Sequence, residues 1–230
     1  CDPDDIPEST KVMSRHITEK HRETVGREAT GFEKYFTKPK SFNLLFKTFI
    51  GPVEDSKSTA YLRGETAQGM FVNFKNILDT TRKTLPLGIA QIGKAFRNEI
   101  TPGNFIFRTL EFEQMEIEYF VEESDWQESF QTWNKMMNDW GRSIGIDDGR
   151  MHDVETPKEK LAHYSKRTVD FEYKYPFGQK ELLGLAYRTD FDLKSHHIDY
   201  IDPETGTRTV PHVIEPSFGI GRLILSLLLD

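Results

Sequence analysis

Arginine and carboxylate side chains are concentrated in residues 96–120, where their types and spacing suit a ligand site. Residues 101–104 (TPGN) predict a tight turn, because proline fixes φ and both glycine and asparagine tolerate positive φ. A strand is expected on each side, with Arg97 and Glu99 on one face of the first strand. Side chains alternate between the faces of a strand, so the second strand should present on one side Arg108, Leu110, Phe112, Gln114, Glu116 and Glu118. Unpaired buried charges are costly, so these charges beside an aromatic ring predict a binding site.

Two helices are expected to pack against this hairpin. One follows residue 64 and should bury Met70, Phe71 and Phe74. The other spans residues 126–144, with Asp125 as its N-cap. Large apolar residues recur at helical spacing along the second helix and predict a face that packs on the core: Trp126, Phe130, Trp133, Met137 and Trp140.

The remaining elements are predicted from alternation, turn residues and apolar runs. The first arm of the hairpin should begin at residue 88, and the other strands, or strand-like core segments, are expected at 42–50, 169–175, 181–192 and 210–217. Helices are expected at 158–167 and 221–229, a polar link at 146–157, and turns at 176–178 and 202–207. Residues 1–36 are polar and charged, and are expected to be an exposed or mobile insertion, although 14–31 could form a solvated helix.

The composition is that of a globular protein of one or two domains. The chain has 230 residues, of which 37% are hydrophobic and 12% aromatic. It has no apolar run that could span a bilayer and begins with an acidic segment in place of a signal peptide, so the cytoplasm fits best. A single cysteine excludes an intramolecular disulfide and a multi-cysteine zinc site. The net charge of −7 gives no overall nucleic-acid signature.

The sequence resembles a known family of enzymes. FRNE at 96–99, followed by Arg108, Phe112 and Glu116, is similar to motif 2 of class II aminoacyl-tRNA synthetases. Three further segments narrow the resemblance to glycyl-tRNA synthetases of the homodimeric type: YLRGETAQG at 61–69, GIAQIG at 88–93 and EPSFGIGR at 215–222. The resemblance covers most of 40–120 and 160–230, whereas 1–37 and 121–157 match poorly. It implies an enzyme that activates glycine with ATP and transfers it to tRNA(Gly).

Activation of an amino acid joins a carboxylate to the α-phosphate of ATP, so the site must neutralise negative charge and fix an in-line geometry. The resemblance implies that Arg97 binds the α-phosphate and the amino-acid carboxylate, and that Glu99 contacts the adenine amino group. It also implies that Arg108 binds the γ-phosphate and that Phe112 stacks on adenine. The strand pattern alone places Arg108 and Phe112 on one face, roughly 13 Å apart, within reach of a bent nucleotide.

Residues near the C-terminus complete the implied ATP site. Segment 215–222 resembles motif 3, in which Arg222 is a second catalytic arginine that binds the γ-phosphate. Arg222 should lie in the first turn of the last helix, where the helix dipole also favours an anion. The resemblance further implies that Glu181 is a Mg²⁺ ligand and that Arg188 binds the nucleotide.

Glycine has no side chain to recognise, so its site must bind the ammonium group and exclude anything larger. Acceptors, preferably anionic ones, suit the ammonium. The resemblance assigns the glycine site to Glu65, Glu116, Glu215 and Ser217. A second candidate site, formed by His196, His197 and Asp199 beside Asp190 and Asp192, has no defined metal-ligand spacing, so surface or hydrogen-bonding histidines are favoured there.

We therefore expect an α+β fold, with the antiparallel β-sheet of a class II synthetase flanked by helices. Residues 1–37 form a poorly matched polar segment, and residues 38–230 form the catalytic core, with motif 2 at 96–120, a largely helical segment at 121–168 and motif 3 at 215–230. Motif 1 is not recognisable and no anticodon-binding domain follows, so the sequence is interpreted as a catalytic core of a protein that is a homodimer at full length.

Two alternatives remain open at this stage. One is a noncatalytic synthetase-like accessory or binding paralogue, and the other is an adenylate-forming ligase with a different acceptor. Noncatalytic paralogues usually lose the motif arginines, whereas Arg97, Arg108 and Arg222 are all present here, which favours an enzyme. The second alternative shares the ATP residues and differs only in the acceptor.

Overall fold

An antiparallel sheet of six strands organises residues 42–230, the part of the chain that this computed structural model describes. The strands are, in chain order, β1 Lys47–Phe49, β2 Thr59–Tyr61, β3 Leu87–Phe96, β4 Glu111–Val121, β5 Met151–Glu155, β6 Arg167–Tyr175, β7 Gly178–Thr189, β8 Tyr200–Ile201, β9 Arg208–Thr209 and β10 His212–Gly219. The large sheet has the order β3-β4-β10-β7-β6-β5, and β1-β2 and β8-β9 are separate pairs. The predictions for residues 1–37, including a helix at 14–31, lie outside the described residues.

Four α-helices accompany the sheet within the described residues: α1 Ala67–Thr81, α2 Trp126–Ser143, α3 Phe191–Ser195 and α4 Ile220–Leu229. The α+β class expected from the sequence is therefore confirmed. None of the helices within residues 42–230 is long and apolar enough to cross a membrane.

Helices α1 and α2 pack on the sheet as their apolar spacing predicts. Met70, Phe71 and Phe74 of α1 are buried together with Phe120 and Val213 of the sheet. Phe130 and Met137 of α2 are buried in a second core, and the three tryptophans of α2 are partly buried against that core. Asp125 occupies the N-cap position of α2 without making a side-chain cap hydrogen bond, so this helix depends on packing more than on capping.

Strands β7 and β10 lie in the middle of the sheet, and both are buried on their two faces. From Leu182 to Thr189 every residue of β7 is buried, as is every residue of β10 from 212 to 216. Such strands are normally continuous apolar runs. Arg188 in β7 and Glu215 in β10 are charged exceptions, and both require a partner inside the protein.

The hairpin at 96–120 differs from its prediction in one respect. Strand β3 ends at Phe96 and β4 begins at Glu111, so the loop spans 97–110 and includes a short 3₁₀ turn at Phe105–Phe107. Arg97, Glu99, Arg108 and Leu110 therefore lie in the loop. The predictions that Arg97 and Glu99 lie on the first strand, and that Arg108 shares a strand with Phe112, were wrong. The loop is held in place because the backbone groups of Gly103 and Arg108 hydrogen-bond each other, at 2.9 and 3.2 Å.

Several other boundaries need correction. The helix predicted at 158–167 is only a 3₁₀ turn at Lys158–Lys160, and Arg167 already belongs to β6. The polar link predicted at 146–157 contains the edge strand β5. The strand predicted at 42–50 is limited to β1, and large apolar residues around it are exposed rather than core. Strand β7 ends at Thr189, so Asp192 belongs to α3 and not to the strand.

Candidate active site

A cavity of about 350 Å³ lies on one face of the sheet. The register of the strands shows which residues line the cavity, because residues opposite each other in an antiparallel pair point to the same side of the sheet. Ser217 of β10 lies opposite Glu116 of β4 and also opposite Gly184 of β7. Gly184 in turn lies opposite Asp170 of β6. Four adjacent strands thus contribute to one face, and the small residue Gly184 leaves space above the sheet.

Ten of the eleven residues predicted for the site line this cavity: Glu65, Arg97, Glu99, Arg108, Phe112, Glu116, Glu181, Glu215, Ser217 and Arg222. They come from the segment before α1, from the motif 2 hairpin and its loop, and from β7, β10 and α4. The structure therefore brings together residues that are more than a hundred positions apart in the sequence. Arg188 is the exception, because it does not line the cavity.

Arg97 and Phe112 form one part of the cavity wall. The guanidinium carbon of Arg97 lies 5.3 Å from the centre of the Phe112 ring. The Nε–H of Arg97 donates to the carbonyl of Gly64 at 3.2 Å, which ties motif 2 to the segment that precedes α1. A planar guanidinium beside an aromatic face suits a nucleotide, since the ring can stack on a base while the fork binds phosphate.

Arg222 lies at the start of α4 and is held by contacts with Phe107 and Glu181. Its guanidinium carbon is 4.3 Å from the centre of the Phe107 ring. Its Nη1 donates to the Glu181 carboxylate at 3.1 Å and to the Glu181 carbonyl at 3.0 Å. These contacts connect the motif 2 loop, β7 and α4, so the two arginine-bearing segments are positioned relative to each other through Phe107 and Glu181.

Asp170 was not predicted as a site residue, yet it lines the cavity near Glu181. Burial raises the pKa of Asp170 to about 6, and the charge of Glu181 adds to the shift. Two carboxylates that repel each other favour a cation between or beside them. Mg²⁺ is usually held by one or two carboxylates together with phosphate oxygens, so the residues present fit a nucleotide-bound Mg²⁺.

Arg188 lies behind the cavity, and its side chain is only 1% exposed. The sequence resemblance had implied that it contacts the nucleotide directly. Its guanidinium binds Asp192 through two hydrogen bonds of 2.8 and 3.0 Å and Glu215 through one of 2.6 Å. Tyr164 covers one face, with 3.9 Å between the guanidinium carbon and the ring centre. Burial lowers the pKa of Arg188, because it disfavours the charged form. The charge of Glu215 and the hydrogen bonds to Asp192 have a larger effect in the opposite direction, so the arginine pKa is raised. Arg188 thus neutralises the carboxylates that form the cavity wall.

Glu116 is 3% exposed and its carboxylate is fixed by neighbours. One oxygen accepts from the backbone N–H of Thr66 at 2.8 Å and also from the Thr66 hydroxyl. The other accepts from the side-chain amide of Gln114 at 3.0 Å. These donors fix the orientation of the carboxylate, so Glu116 can act as a fixed acceptor at the cavity wall.

Glu215 and Glu65 extend this acidic part of the wall. The Oε1 atom of Glu65 lies 3.8 Å from Nη2 of Arg188. Burial raises the pKa of Glu215, although the charge of Arg188 opposes the shift. Several carboxylates around a single buried guanidinium leave an excess of negative charge, and a bound cation would relieve it.

Sequence reasoning missed the residues that support the site from behind. Thr66 holds Glu116, Asp192 holds Arg188, and Tyr164 covers Arg188. Thr66 follows directly after Glu65, and a capping-type residue at the start of a helix was the available signal. Tyr164 has no such signal, because only the folded sheet brings its partner Arg188 near. Asp192 lies four residues after Arg188 but was assigned to the end of the preceding strand. At the other candidate site, His196 hydrogen-bonds Gln68 at 3.1 Å, and residues 42–230 contain no group of three or more metal-ligating side chains.

Comparison with known proteins identifies the family. Residues 46–230 match the model of the tRNA synthetase class II core domain of the G, H, P, S and T group. The chain belongs to this class II synthetase family. The six-stranded antiparallel sheet and the cavity on its face are consistent with that membership.

Curated relatives refine the comparison. The chain is 52% identical over 201 residues to a glycine–tRNA ligase of Caldanaerobacter subterraneus, covering 85% of this chain and 44% of the relative. It is 51% identical over 223 residues to one of Thermus thermophilus, covering 88% and 44%. A third, from Alkaliphilus oremlandii, is 49% identical over 228 residues, covering 96% and 48%. The chain therefore spans a little under half the length of these relatives.

Close packing at Gly221 gives a prediction about the end of the cavity that Arg222 lines. A Cβ at this position would lie 2.8 Å from the carbonyl oxygen of Ile106, in the motif 2 loop. Gly221→Ala should push the loop and α4 apart and displace Arg222 relative to Phe107. A misplacement of this kind can cost on the order of 100-fold, so we expect ATP-dependent activity to fall at least about tenfold.

Gly103→Ala is the matched control for this variant. Gly103 lies in the same loop, and a Cβ there would meet nothing within 4 Å. Steady-state kinetics with varied ATP should therefore separate the two alanine variants. Equal ATP kinetics for both would show that the approach of Ile106 to Gly221 does not position the site.

Proposed function

We propose that this chain is the catalytic core of a glycine–tRNA ligase, which activates glycine with ATP and transfers it to tRNA(Gly). The observation that carries the proposal is one cavity lined both by arginines suited to phosphates and by buried carboxylates suited to an ammonium group. Three relatives of about half-identical sequence that are named glycine–tRNA ligase support it.

In the first step, the glycine carboxylate attacks the α-phosphate and pyrophosphate leaves. Arg97 would bind both the α-phosphate and the attacking carboxylate, so it would reduce their repulsion and hold them in line. Phe112 would stack on adenine, and Glu99 would accept from the adenine amino group. Arg108 and Arg222 would bind the γ-phosphate, since guanidinium groups form bidentate contacts with phosphate.

Mg²⁺ would be held by Glu181, with Asp170 close by, together with phosphate oxygens of ATP. When bound, the ion would neutralise negative charge on the phosphates. Arg222 contacts the same carboxylate of Glu181, so the arginine and the carboxylate would orient each other at the phosphate end.

The glycine ammonium would be received by Glu65, Glu116, Glu215 and Ser217. Charge-assisted hydrogen bonds to carboxylates are roughly twice as strong as neutral ones. Arg188 would act indirectly, because it holds Glu215 at 2.6 Å and lies away from the cavity. Larger amino acids would be rejected by lack of room beyond the glycine Cα.

In the second step, a terminal hydroxyl of tRNA(Gly) would attack the carbonyl carbon of glycyl-adenylate and AMP would leave. The family resemblance also implies that the full-length protein is a homodimer. The transfer step is proposed from the names of the relatives, and the homodimer from the motif resemblance alone.

ATP–pyrophosphate exchange with each of the standard amino acids tests the proposal. We expect exchange with glycine, and far weaker exchange with alanine and serine. Exclusion of a larger substrate can be strong, whereas a missing methylene in a hydrophobic pocket is worth only about 1–3 kcal/mol. Equal or better exchange with another amino acid would refute the assignment to glycine.

Neutralising Glu116 gives a second prediction. Glu116→Gln keeps the shape of the side chain but removes its charge, so glycine binding should weaken by about 1–3 kcal/mol. ATP binding should change little, because Arg97, Phe112 and Arg222 are unchanged. Calorimetric titration with glycine and with ATP measures both effects.

The control for this prediction is Glu111→Gln on the same strand. Glu111 is about half exposed and pairs with Lys94, so this change should leave glycine binding intact. If Glu116→Gln lowers the melting temperature but leaves glycine affinity unchanged, Glu116 belongs to the scaffold and not to the glycine site.

A further inference from the structure

Glu118 is a buried carboxyl group that the proposed reaction does not use. It lies on β4 two residues after Glu116, its side chain is 0% exposed, and it does not line the cavity. In the part of the chain that the structure describes, neither of its carboxyl oxygens has a hydrogen-bond donor. An ionised carboxylate in such a place would lose its hydration without gaining a hydrogen bond, which is a large cost.

The neighbour of Glu118 is another carboxyl group. Ile214 pairs with Tyr119 and Ser217 pairs with Glu116, and continuing this register puts Glu215 opposite Glu118 on the same face. Cβ atoms of residues that lie directly opposite each other in an antiparallel pair are about 4.5–5.5 Å apart, so the two carboxyl groups can reach each other. Two ionised carboxylates have no hydrogen to share, so a hydrogen bond between them requires a proton on one of them.

The charges around Glu118 indicate which group carries the proton. Glu215 of β10, Arg188 of β7 and Glu116 of its own strand act on Glu118, and its partner on β3 is the apolar Ile89. Arg188 donates directly to Glu215 at 2.6 Å and makes no hydrogen bond to Glu118, so the negative charge is better stabilised on Glu215. Burial first, and then the charge of Glu215, raise the pKa of Glu118 well above its usual range.

We propose that Glu118 carries a proton at neutral pH and donates it in a hydrogen bond to Glu215, which holds the Glu215 carboxylate in place to receive the ammonium group of glycine. This inference rests on the proposed function and adds a positioning residue to its glycine site. Glu215 then lies between two donors, the Glu118 carboxyl and the Arg188 guanidinium. Its orientation is fixed before the substrate arrives, as preorganised binding requires.

The proton also limits the charge of the site. Glu65, Asp192 and Glu215 are already ion-paired with Arg188, and the charges of Glu65 and Glu116 act on Glu215. A further buried negative charge at Glu118 would repel Glu215 and favour its protonation, and a protonated Glu215 would bind an ammonium group more weakly. A purely apolar residue would avoid the repulsion but remove the donor.

Infrared spectroscopy tests the protonation directly, without reference to activity. A protonated carboxylic acid has a carbonyl stretch separate from that of carboxylates and amides. We expect this band in the spectrum of the parent protein at neutral pH, and we expect Glu118→Gln to weaken it strongly. The control variant Glu111→Gln changes an exposed, ion-paired glutamate and should leave the band in place.

Substrate kinetics test the positioning role. Glu118→Gln keeps a neutral donor next to Glu215, whereas Glu118→Leu has a similar volume and no donor. In ATP–pyrophosphate exchange, Glu118→Leu should raise the KM for glycine by about tenfold or more, the effect of losing a hydrogen bond to a charged group. The KM for ATP should stay within about threefold of the parent. In Glu118→Gln, by contrast, the KM for glycine should stay close to that of the parent protein.

Stability against pH provides a third measurement, which remains available if Glu118→Leu does not fold. Because the pKa of Glu118 is raised in the folded protein, its contribution to stability is present below the usual carboxyl pKa and is lost as pH rises through the folded value. The melting temperature of the parent should therefore fall more steeply between pH 5 and about 8 than that of Glu118→Gln.

Three results would overturn the inference: a carboxylic-acid band of unchanged intensity in Glu118→Gln, a glycine KM unchanged in a folded Glu118→Leu, or parallel pH profiles of melting temperature. A failure of the proposed function would look different. In that case the parent would not catalyse glycine-dependent exchange, while the infrared band and the pH profile would still report whether Glu118 holds a proton.

Discussion

Replacing Arg188 with methionine is expected to lower the free energy of unfolding by about 3–5 kcal/mol, because it removes one partner from a buried ion-pair network. Arg188 is 1% exposed and binds Asp192 and Glu215, which are themselves buried. Methionine fills much of the space but leaves both carboxylates without their cation. Chemical denaturation followed by tryptophan fluorescence at neutral pH measures the loss.

Arg142→Met is the matched control, since Arg142 makes ion pairs with Asp139 and Asp148 on the exposed surface of α2. The same substitution there should leave the denaturation midpoint almost unchanged. Arg188→Lys keeps the charge but not the planar fork, so it should recover only part of the stability. A midpoint for Arg188→Met equal to that of Arg142→Met would show that the carboxylates do not depend on Arg188.

The effect of Arg188→Met should also depend on pH. Without the guanidinium, Glu215 loses a charge that favours its ionised form, so its pKa in the folded state rises further. Folding then takes up protons, and the destabilisation should shrink as pH falls below the usual carboxyl range. The gap between parent and variant is therefore expected to be largest at neutral pH and smallest near pH 4.

Replacing Arg97 with alanine is expected to lower the rate of glycine-dependent ATP–pyrophosphate exchange by at least about 100-fold. Loss of one transition-state charge contact typically costs about 2.7–4 kcal/mol, and Arg97 is the residue proposed to touch both reacting groups. Its guanidinium lies at the cavity wall beside Phe112. The loss should therefore appear in kcat as well as in kcat/KM.

Two comparisons make this result specific. Phe112→Ala should act mainly on the KM for ATP, because stacking is present both before and during the reaction. Arg142→Ala changes an exposed arginine on α2 and should leave the kinetics unchanged. A folded Arg97→Ala protein with unaltered kcat would contradict the proposed role at the α-phosphate.

Local patterns in the sequence predict the face of β4 correctly. Gln114, Glu116, Glu118 and Phe120 alternate with residues of the other face, and all four are buried. Polar residues on the buried side of a strand break the usual pattern, and that break is a signal of function. The same reasoning failed for Arg108, because residues of an irregular loop can continue an apparent alternation without belonging to the strand.

Errors elsewhere in the fold have a common physical cause. Strand β5 was missed because it lies at the edge of the sheet and its residues are mostly polar and exposed, as edge strands often are. The helix predicted at 158–167 had few apolar positions to fix its period. Arg188 is held in its buried position by Asp192 and Glu215. Glu215 lies in β10 and comes close to Arg188 only when the sheet has formed. Long-range partners of this kind leave no local pattern in a single sequence.

The position of β10 has a consequence for how binding ability appears during folding. It is the last strand in the sequence, yet it lies between β4 and β7 in the sheet. Until His212–Gly219 inserts there, the β3-β4 hairpin keeps Glu116 and Glu118 in water, where their charges cost little. Pairing between such distant segments is slow, with folding times of about milliseconds to seconds in proteins dominated by non-local contacts. Affinity for substrate should therefore be gained in one late step, and a ligand present during refolding should stabilise only molecules in which that step is complete.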